Sequence, residues 1–287
     1  MAILLALASA VAYGLSDFVG GVVSRRASAW SVAVLGQLSS TACTAAVALS
    51  VASTPQPRHF AWAVVAGVGS GVGTGFLYRG FSSGRMSVVA PVSAVGAAVV
   101  PMAAGALAGD RPSPLVWLGI LAALPGIWLV ASVPEDDLAR TDPGFDGQGA
   151  TAMSGLVDGI LAGLGFGVLF AALGQVPDSA GLWPLTLSQA VSVPAVVLLA
   201  ISVGAPWMPR GRSVRWALLA GPLGATATGC FLLASQQGYL AVAGVLASLY
   251  PATTVLLAAL VLHERIHGSQ GMGLGLCAAA VALVAIG

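Results

Sequence analysis

The sequence predicts an all-α integral membrane protein with ten transmembrane helices arranged as two inverted five-helix repeats. Three observations lead to this fold. Only 7% of the 287 residues are charged and 57% are apolar, whereas a soluble domain has about 25% charged residues. Lipid must therefore cover most of the surface. Ten apolar runs are also long enough to cross a bilayer, which takes about 20 residues. The third observation is an internal repeat.

The repeat relates positions 62–131 to positions 154 residues later, without a gap over about 70 residues. Trp62 and Trp216 each begin a W-A-x-x-A-G motif. Matches between small apolar residues are common in such a composition, but matches between tryptophans, threonines or acids are not. The rare matching pairs are Trp62 with Trp216, Thr74 with Thr228, and Asp110 with Glu264.

Each half of the chain supplies five spans. The predicted spans are 3–23, 29–51, 60–79, 87–108 and 114–133, then 153–174, 182–203, 216–238, 241–262 and 269–286. Ser113-Pro114 resembles an N-cap followed by proline at the first helical position of span five. Proline residues inside later spans, among them Pro251, predict kinks. The repeats are expected at 1–133 and 151–287, joined by an acidic linker at 134–150.

Five is an odd number, so the second half enters the membrane from the opposite face and the repeats are inverted. The arginines give an independent test of orientation. The chain has no lysine, and two arginines, Arg58 and Arg111, lie on the side of the even-to-odd loops. The other nine lie on the opposite side: Arg25, Arg26, Arg79, Arg85, Arg140, Arg210, Arg212, Arg215 and Arg265. By the positive-inside rule that side is cytoplasmic and both termini face outward.

The composition also limits what the protein binds. A net charge of +1 gives no indication of a nucleic-acid partner. The three cysteines, Cys43, Cys230 and Cys277, lie in apolar runs and are interpreted as packing residues. No metal or other cofactor is expected, because no His, Cys or carboxylate cluster has metal-ligand spacing. The expected partners are the lipid bilayer, a small-molecule substrate and a proton or other coupling ion. The sequence leaves open whether the protein is a homodimer.

Ten spans in two inverted halves resemble the EamA-like branch of the drug/metabolite transporter superfamily. Locally, Pro251 is followed thirteen residues later by Glu264. The glycines of the last span complete the resemblance: Gly268, Gly271, Gly273 and Gly275. The first half departs from the pattern, with Ala97 where proline would match. The resemblance implies a central cavity lined by spans 1–4 and 6–9, with spans 5 and 10 peripheral. It also implies a secondary transporter, rather than an enzyme, that exports small metabolites such as amino acids or related amphipathic and cationic compounds.

Asp17 is the strongest candidate for a functional residue. It lies in span one, roughly 21 Å from Ile3 at 1.5 Å per residue, with Tyr13 one turn before it on the same face. A carboxylate inside a membrane helix is costly unless it faces a wet cavity or a partner. Two interpretations remain open. Asp17 binds substrate or the coupled proton, or it forms a structural salt bridge with Arg79.

Neutral polar residues in mid-span are the next candidates, because repetition of a polar pair about a two-fold axis favours a shared cavity. The further predicted substrate-binding residues are Gln37, Thr74, Arg79, Gln189, Thr228, Gln236 and Tyr250. The remaining acids are expected to be structural. Asp158 would stabilise the first turn of span six, and Asp110 and Glu264 would brace loops. The glycines of span three would serve helix packing.

Three functions compete on the sequence alone. A secondary transporter fits the symmetric halves and the polar residues in mid-span, and its energy would come from a gradient, since there is no nucleotide-binding motif. A membrane-embedded enzyme would need a nucleophile, a metal cluster or paired acids at one depth, none of which the sequence indicates. A structural or signalling membrane protein without transport activity is the alternative, although it would not need paired polar halves.

Overall fold

The computed structural model describes residues 1–82, 86–131, 149–211, 213–261 and 266–287. Its helices in the first half are α1 (Ala2–Ser24), α2 (Ala29–Ala48), α3 (Pro57–Ser82), α4 (Met86–Ala108) and α5 (Pro114–Ala131). In the second half they are α6 (Gly149–Leu173), α7 (Trp183–Ser202), α8 (Ala220–Gln237), α9a (Leu240–Ala247), α9b (Tyr250–Val261) and α10 (Gly268–Ile286). Two short 3₁₀ helices, Asp178–Ala180 and Ser213–Leu219, precede α7 and α8. Most of the predicted linker, together with Arg85, Arg140, Arg212, Glu264 and Arg265, lies outside the described residues.

The predicted spans are confirmed as apolar helical segments. Within the described residues, nine segments are long and apolar enough to cross a membrane, and the helix Pro114–Val130 is apolar but shorter. Ser113 caps α5 as predicted, since its hydroxyl accepts a hydrogen bond from the Val116 N–H at 3.3 Å. Span nine differs from the prediction of one kinked helix. It is interrupted at Ser248–Leu249, just before Pro251, because proline cannot donate the backbone hydrogen bond that would continue the helix.

The glycines of α3 permit close packing against two helices of the other half. A methyl group added at Gly71 would lie 2.8 Å from the Ser192 carbonyl oxygen on α7. One added at Gly69 would lie 2.6 Å from the Gly165 carbonyl oxygen on α6. Both distances are too short for a carbon atom, so only glycine lets the backbones approach this closely. Helix α3 is thereby held between α6 and α7.

Contacts between the halves follow a two-fold pattern. Helix α1 packs on α8 and α9, just as α6 packs on α3 and α4, while α2 packs on α7 and α5 on α10. Helix ends meet in the same way. Ser31, near the start of α2, donates a hydrogen bond to the Met208 carbonyl beyond the end of α7 at 3.0 Å. Thr54, beyond the end of α2, donates from its N–H to Ser179, just before α7, also at 3.0 Å. Helices α2 and α7 therefore run in opposite directions.

Candidate central cavity

A narrow cavity lies among α1, α2, α3, α6, α7 and α8, between the two halves of the chain. Its volume, measured as the space open to the centre of a water molecule, is about 50 Å³. The lining residues are Tyr13, Ser16, Asp17, Ala33, Gly36, Gln37, Ser40, Ser70, Thr74, Tyr78, Phe166, Leu169, Gln189, Ala220, Gly224 and Thr228. Six of the predicted site residues are among them: Tyr13, Asp17, Gln37, Thr74, Gln189 and Thr228.

Asp17 is the only acid among the lining residues that the structure describes. It is 8% exposed. In the described part of the chain no arginine forms an ion pair with it, and its carboxylate receives no side-chain hydrogen bond. A buried, unpaired carboxylate is unfavourable unless something else compensates the charge. Because Asp17 lies on the cavity wall, a cation or proton bound in the cavity could neutralise its negative charge.

Three tyrosines lie near this carboxylate. Tyr13, Tyr78 and Tyr250 are each close enough to Asp17 to interact with it electrostatically. The Tyr13 ring lies 6.3 Å from that of Tyr250, centroid to centroid, and 5.6 Å from that of Phe170. The acid thus sits beside several aromatic rings, whose faces carry negative electrostatic potential.

Two glutamine–threonine pairs occupy equivalent places on the cavity wall. The Gln37 amide donates to the Thr74 hydroxyl at 3.0 Å, and the Gln189 amide donates to the Thr228 hydroxyl at the same distance. Gln37 additionally donates to Ser70 at 3.1 Å. The repeat of the sequence is therefore visible as one hydrogen bond made twice, once from α2 to α3 and once from α7 to α8.

Several buried polar atoms of the cavity have no hydrogen-bond partner among the described residues. They are the hydroxyls of Tyr13 and Ser40 and the side-chain carbonyl oxygen of Gln189. The Thr228 hydroxyl donates to the Gly224 carbonyl at 2.8 Å, so it must accept from the Gln189 NH₂ group, which leaves the Gln189 oxygen free. Buried polar groups in folded proteins nearly always find a partner. These atoms consequently indicate a site that holds water or a polar ligand.

The predicted alternative of an Asp17–Arg79 salt bridge is wrong. Arg79 forms an ion pair with Asp158 on α6 and stacks on Phe76, with its guanidinium carbon 4.4 Å from the ring centroid. Arg79 does not line the cavity. Asp158 has the structural role expected of it, but the prediction that it lies in the first turn is wrong. Helix α6 begins at Gly149, so Asp158 lies beyond the first turn, and its side chain is 2% exposed because it faces α3.

The remaining predicted residues do not line the cavity. Tyr250 begins α9b and shares a hydrogen bond of 3.2 Å with Ser93, next to Tyr13. Gln236 lies apart, near the end of α8, and donates to the Val176 carbonyl at 3.1 Å. Asp110 braces a loop as expected, since it accepts the Ala241 N–H at 3.0 Å where α9a begins.

Sequence reasoning missed several cavity residues that a search along one helix face would have found. Ser70 and Tyr78 lie one turn before and one turn after Thr74, so all three share a face of α3. Ser40 stands in the same relation to Gln37 on α2. Ser70 and Ser40 were overlooked because serine in a membrane helix often bonds only to its own backbone.

Comparison with known proteins agrees with this architecture. A model of the EamA-like transporter family matches the chain twice, over residues 1–132 and 153–286. One solved crystal structure, described only as that of a protein, has a similar fold. The alignment covers 99% of this chain and 96% of that chain, with a TM-score of 0.72 and 17% sequence identity. No curated protein matches the chain. With both halves matched, this multi-pass membrane protein belongs to the EamA-like transporter family.

Proposed function

We propose that the protein is a secondary transporter that binds the amine of a small metabolite, such as an amino acid or a related cationic compound, at Asp17. One observation carries the proposal. Asp17 is a buried carboxylate on the wall of a cavity between the two halves, and no described residue pairs with it. A structural acid would be paired, as Asp158 is with Arg79. An ammonium group entering the cavity would supply the missing positive charge.

We further propose that the halves are inverted and work by alternating access. Helix α2 begins where its repeat partner α7 ends, which supports inversion. Trp62 and Trp216 belong to opposite ends of the bundle in this arrangement, and both are largely exposed, as interfacial anchors would be. Rocking one half against the other would open the cavity to each side in turn.

Export from the cytoplasm across the cell membrane is the direction we propose. Phe166, Leu169 and Gln189 lie towards the end of α6 and the start of α7, on the side with few arginines. Asp17 and most of the other lining residues lie in the second halves of α1 and α3 and the first halves of α2 and α8. Those helix ends adjoin the arginine-rich loops, which the positive-inside rule assigns to the cytoplasm. A substrate would therefore reach Asp17 by the shorter route from the cytoplasmic side, and a proton returning through Asp17 would supply the driving force.

Transport by reconstituted protein is the direct test. Full-length protein in liposomes with an acidic interior should take up one or more members of a panel of radiolabelled amino acids and monoamines as protons leave. Asp17→Asn should retain the folded, monodisperse state and lose uptake. The matched control is Asp178→Asn, which removes an exposed acid outside the cavity and should transport normally. Normal uptake by the Asp17 variant would refute the role of Asp17, and a wild-type protein that moves none of the panel would favour the structural alternative.

A further inference from the structure

We infer that the cavity selects amines that carry an apolar substituent and no carboxylate. This inference rests on the proposed function, because it assumes that Asp17 receives the amine. It narrows the substrate from amine-bearing metabolites in general to organic monocations. Two features of the cavity wall carry it: the polarity of its hydrogen-bonding groups and the difference between α1 and α6.

The hydrogen-bonding groups of the cavity wall favour a substrate that donates hydrogen bonds. Among the described lining residues there is no arginine or histidine. The NH₂ groups of Gln37 and Gln189 are already engaged with hydroxyls of α3 and α8. Among the described residues, the wall offers two groups that only accept, the Asp17 carboxylate and the Gln189 carbonyl oxygen, and the Tyr13 and Ser40 hydroxyls, which can accept as well as donate. Ammonium hydrogens fit these acceptors, whereas a substrate carboxylate would meet the like charge of Asp17 and no arginine or histidine among the described lining residues.

The second feature is a loss of symmetry between repeat partners. Residues on α1 correspond to residues 153 positions later on α6, so that Tyr13 corresponds to Phe166 and Asp17 to Phe170. Ser16 likewise corresponds to Leu169. Helix α1 thus contributes a phenol, a hydroxyl and a carboxylate to the cavity wall, while α6 contributes the Phe166 ring and Leu169, with the Phe170 ring behind them. The same place in the fold is polar on one side and apolar on the other.

The apolar side is a preformed surface. Phe166 and Leu169 line the cavity. Behind them Phe170 is 1% exposed, and its ring centroid lies 4.4 Å from that of Phe231. Rings held this tightly by their neighbours keep a fixed shape. An aryl or alkyl substituent would pack against α6 while the ammonium group lies at Asp17, next to the tyrosine rings that attract a cation.

Phenethylamine and phenylalanine make a matched pair of probes, because they differ only by the carboxylate. Binding would be measured by isothermal titration calorimetry on the purified full-length protein, and uptake by reconstituted liposomes. Phenethylamine is expected to bind at least ten-fold more tightly than phenylalanine, and 3-phenylpropionate, which has the carboxylate without the amine, is expected not to bind. Asp17→Asn should abolish phenethylamine binding, and Asp178→Asn should leave it unchanged.

The outcomes separate this inference from the proposed function. If phenylalanine binds as tightly as phenethylamine and both depend on Asp17, the exclusion of carboxylates is overturned while Asp17 remains the amine site. If either compound still binds to the Asp17→Asn variant, or if folded wild-type protein binds neither compound, two conclusions are refuted. They are the selection of amines without a carboxylate and the role of Asp17 as the amine site.

Discussion

Arg79 on α3 pairs with Asp158 on α6, and this ion pair joins the two halves of the chain. The two partners differ in exposure, since the arginine side chain is 35% exposed and the aspartate side chain only 2%. Water can solvate the arginine but not the aspartate. Arg79 is therefore the ion-pair partner of Asp158 and not of Asp17.

The difference in exposure predicts unequal effects of substitution. Arg79→Met should destabilise the protein by about 3–5 kcal/mol, because it leaves a buried carboxylate without its arginine. Asp158→Asn should cost about 1–3 kcal/mol, because the arginine left behind still reaches water. Thermal unfolding of the purified protein would measure both. Arg111→Met, which alters an exposed arginine, is the control, and equal losses from the two substitutions would contradict the argument.

The two glutamine–threonine pairs should also respond unequally. Thr228→Val removes the hydroxyl that receives the Gln189 amide, and Gln189 is 2% exposed. Thr74→Val leaves Gln37 with Ser70 as a second acceptor. We expect a loss on the order of 1 kcal/mol for Thr228→Val, about the value of one interhelical hydrogen bond in a membrane, and a smaller loss for Thr74→Val. Adding Ser70→Ala to Thr74→Val should increase the loss. The unfolding temperatures of the three variants would test this order of stability, and equal losses for Thr228→Val and Thr74→Val would contradict it.

Helix packing gives a third prediction. A methyl group at Gly165 would lie 2.7 Å from the Gly69 carbonyl oxygen, whereas one at Gly271 would meet nothing within 4 Å. Gly165→Ala should separate α3 from α6 and destabilise the protein by about 1–3 kcal/mol, as overpacking does. Gly271→Ala, the same chemical change on the open side of α10, should not destabilise it. Similar unfolding temperatures for both variants would show that the α3–α6 contact tolerates expansion.

Orientation in the membrane is the fourth prediction. Nine of eleven arginines belong to one side, so both termini should face away from the cytoplasm. A C-terminal reporter that works only in the cytoplasm should be silent, and one that works only outside should be active. A reporter in the loop between α3 and α4 should give the reverse result. A cytoplasmic C-terminus would overturn the orientation and with it the proposed direction of transport.

Much of the site was predictable because the repeat supplies a second copy of the sequence to compare. Gln37 and Gln189 stand out as a pair, although each alone resembles an ordinary interhelical glutamine. Asp17 was predictable from the cost of a charge in lipid. The partner of Arg79 was not, because pairing depends on the depth of each side chain. Hydropathy places the start of span six at residue 153, whereas the helix begins at Gly149.

The interruption of α9 was hidden for a related reason. Pro251 indicates a kink, but a kinked helix and a broken helix have the same hydropathy. Which one forms depends on the neighbours. Here Ser93 holds the Tyr250 hydroxyl, and the Thr254 hydroxyl lies 3.4 Å from the Gly14 carbonyl oxygen. These contacts fix the direction of α9b from outside the helix, and no local pattern in the sequence encodes them.

The correspondence of Asp17 with Phe170 sets the electrical behaviour of the proposed cycle. The site holds one negative charge where a symmetric pair would hold two, so one monocation at a time neutralises it. Exchange of that cation for one proton then moves no net charge and should be indifferent to membrane voltage. Return of the empty site with a bare carboxylate would move one charge, which is worth about 2.3 kcal/mol per 100 mV. A potassium diffusion potential across the liposomes should therefore alter net efflux while leaving one-for-one exchange unchanged.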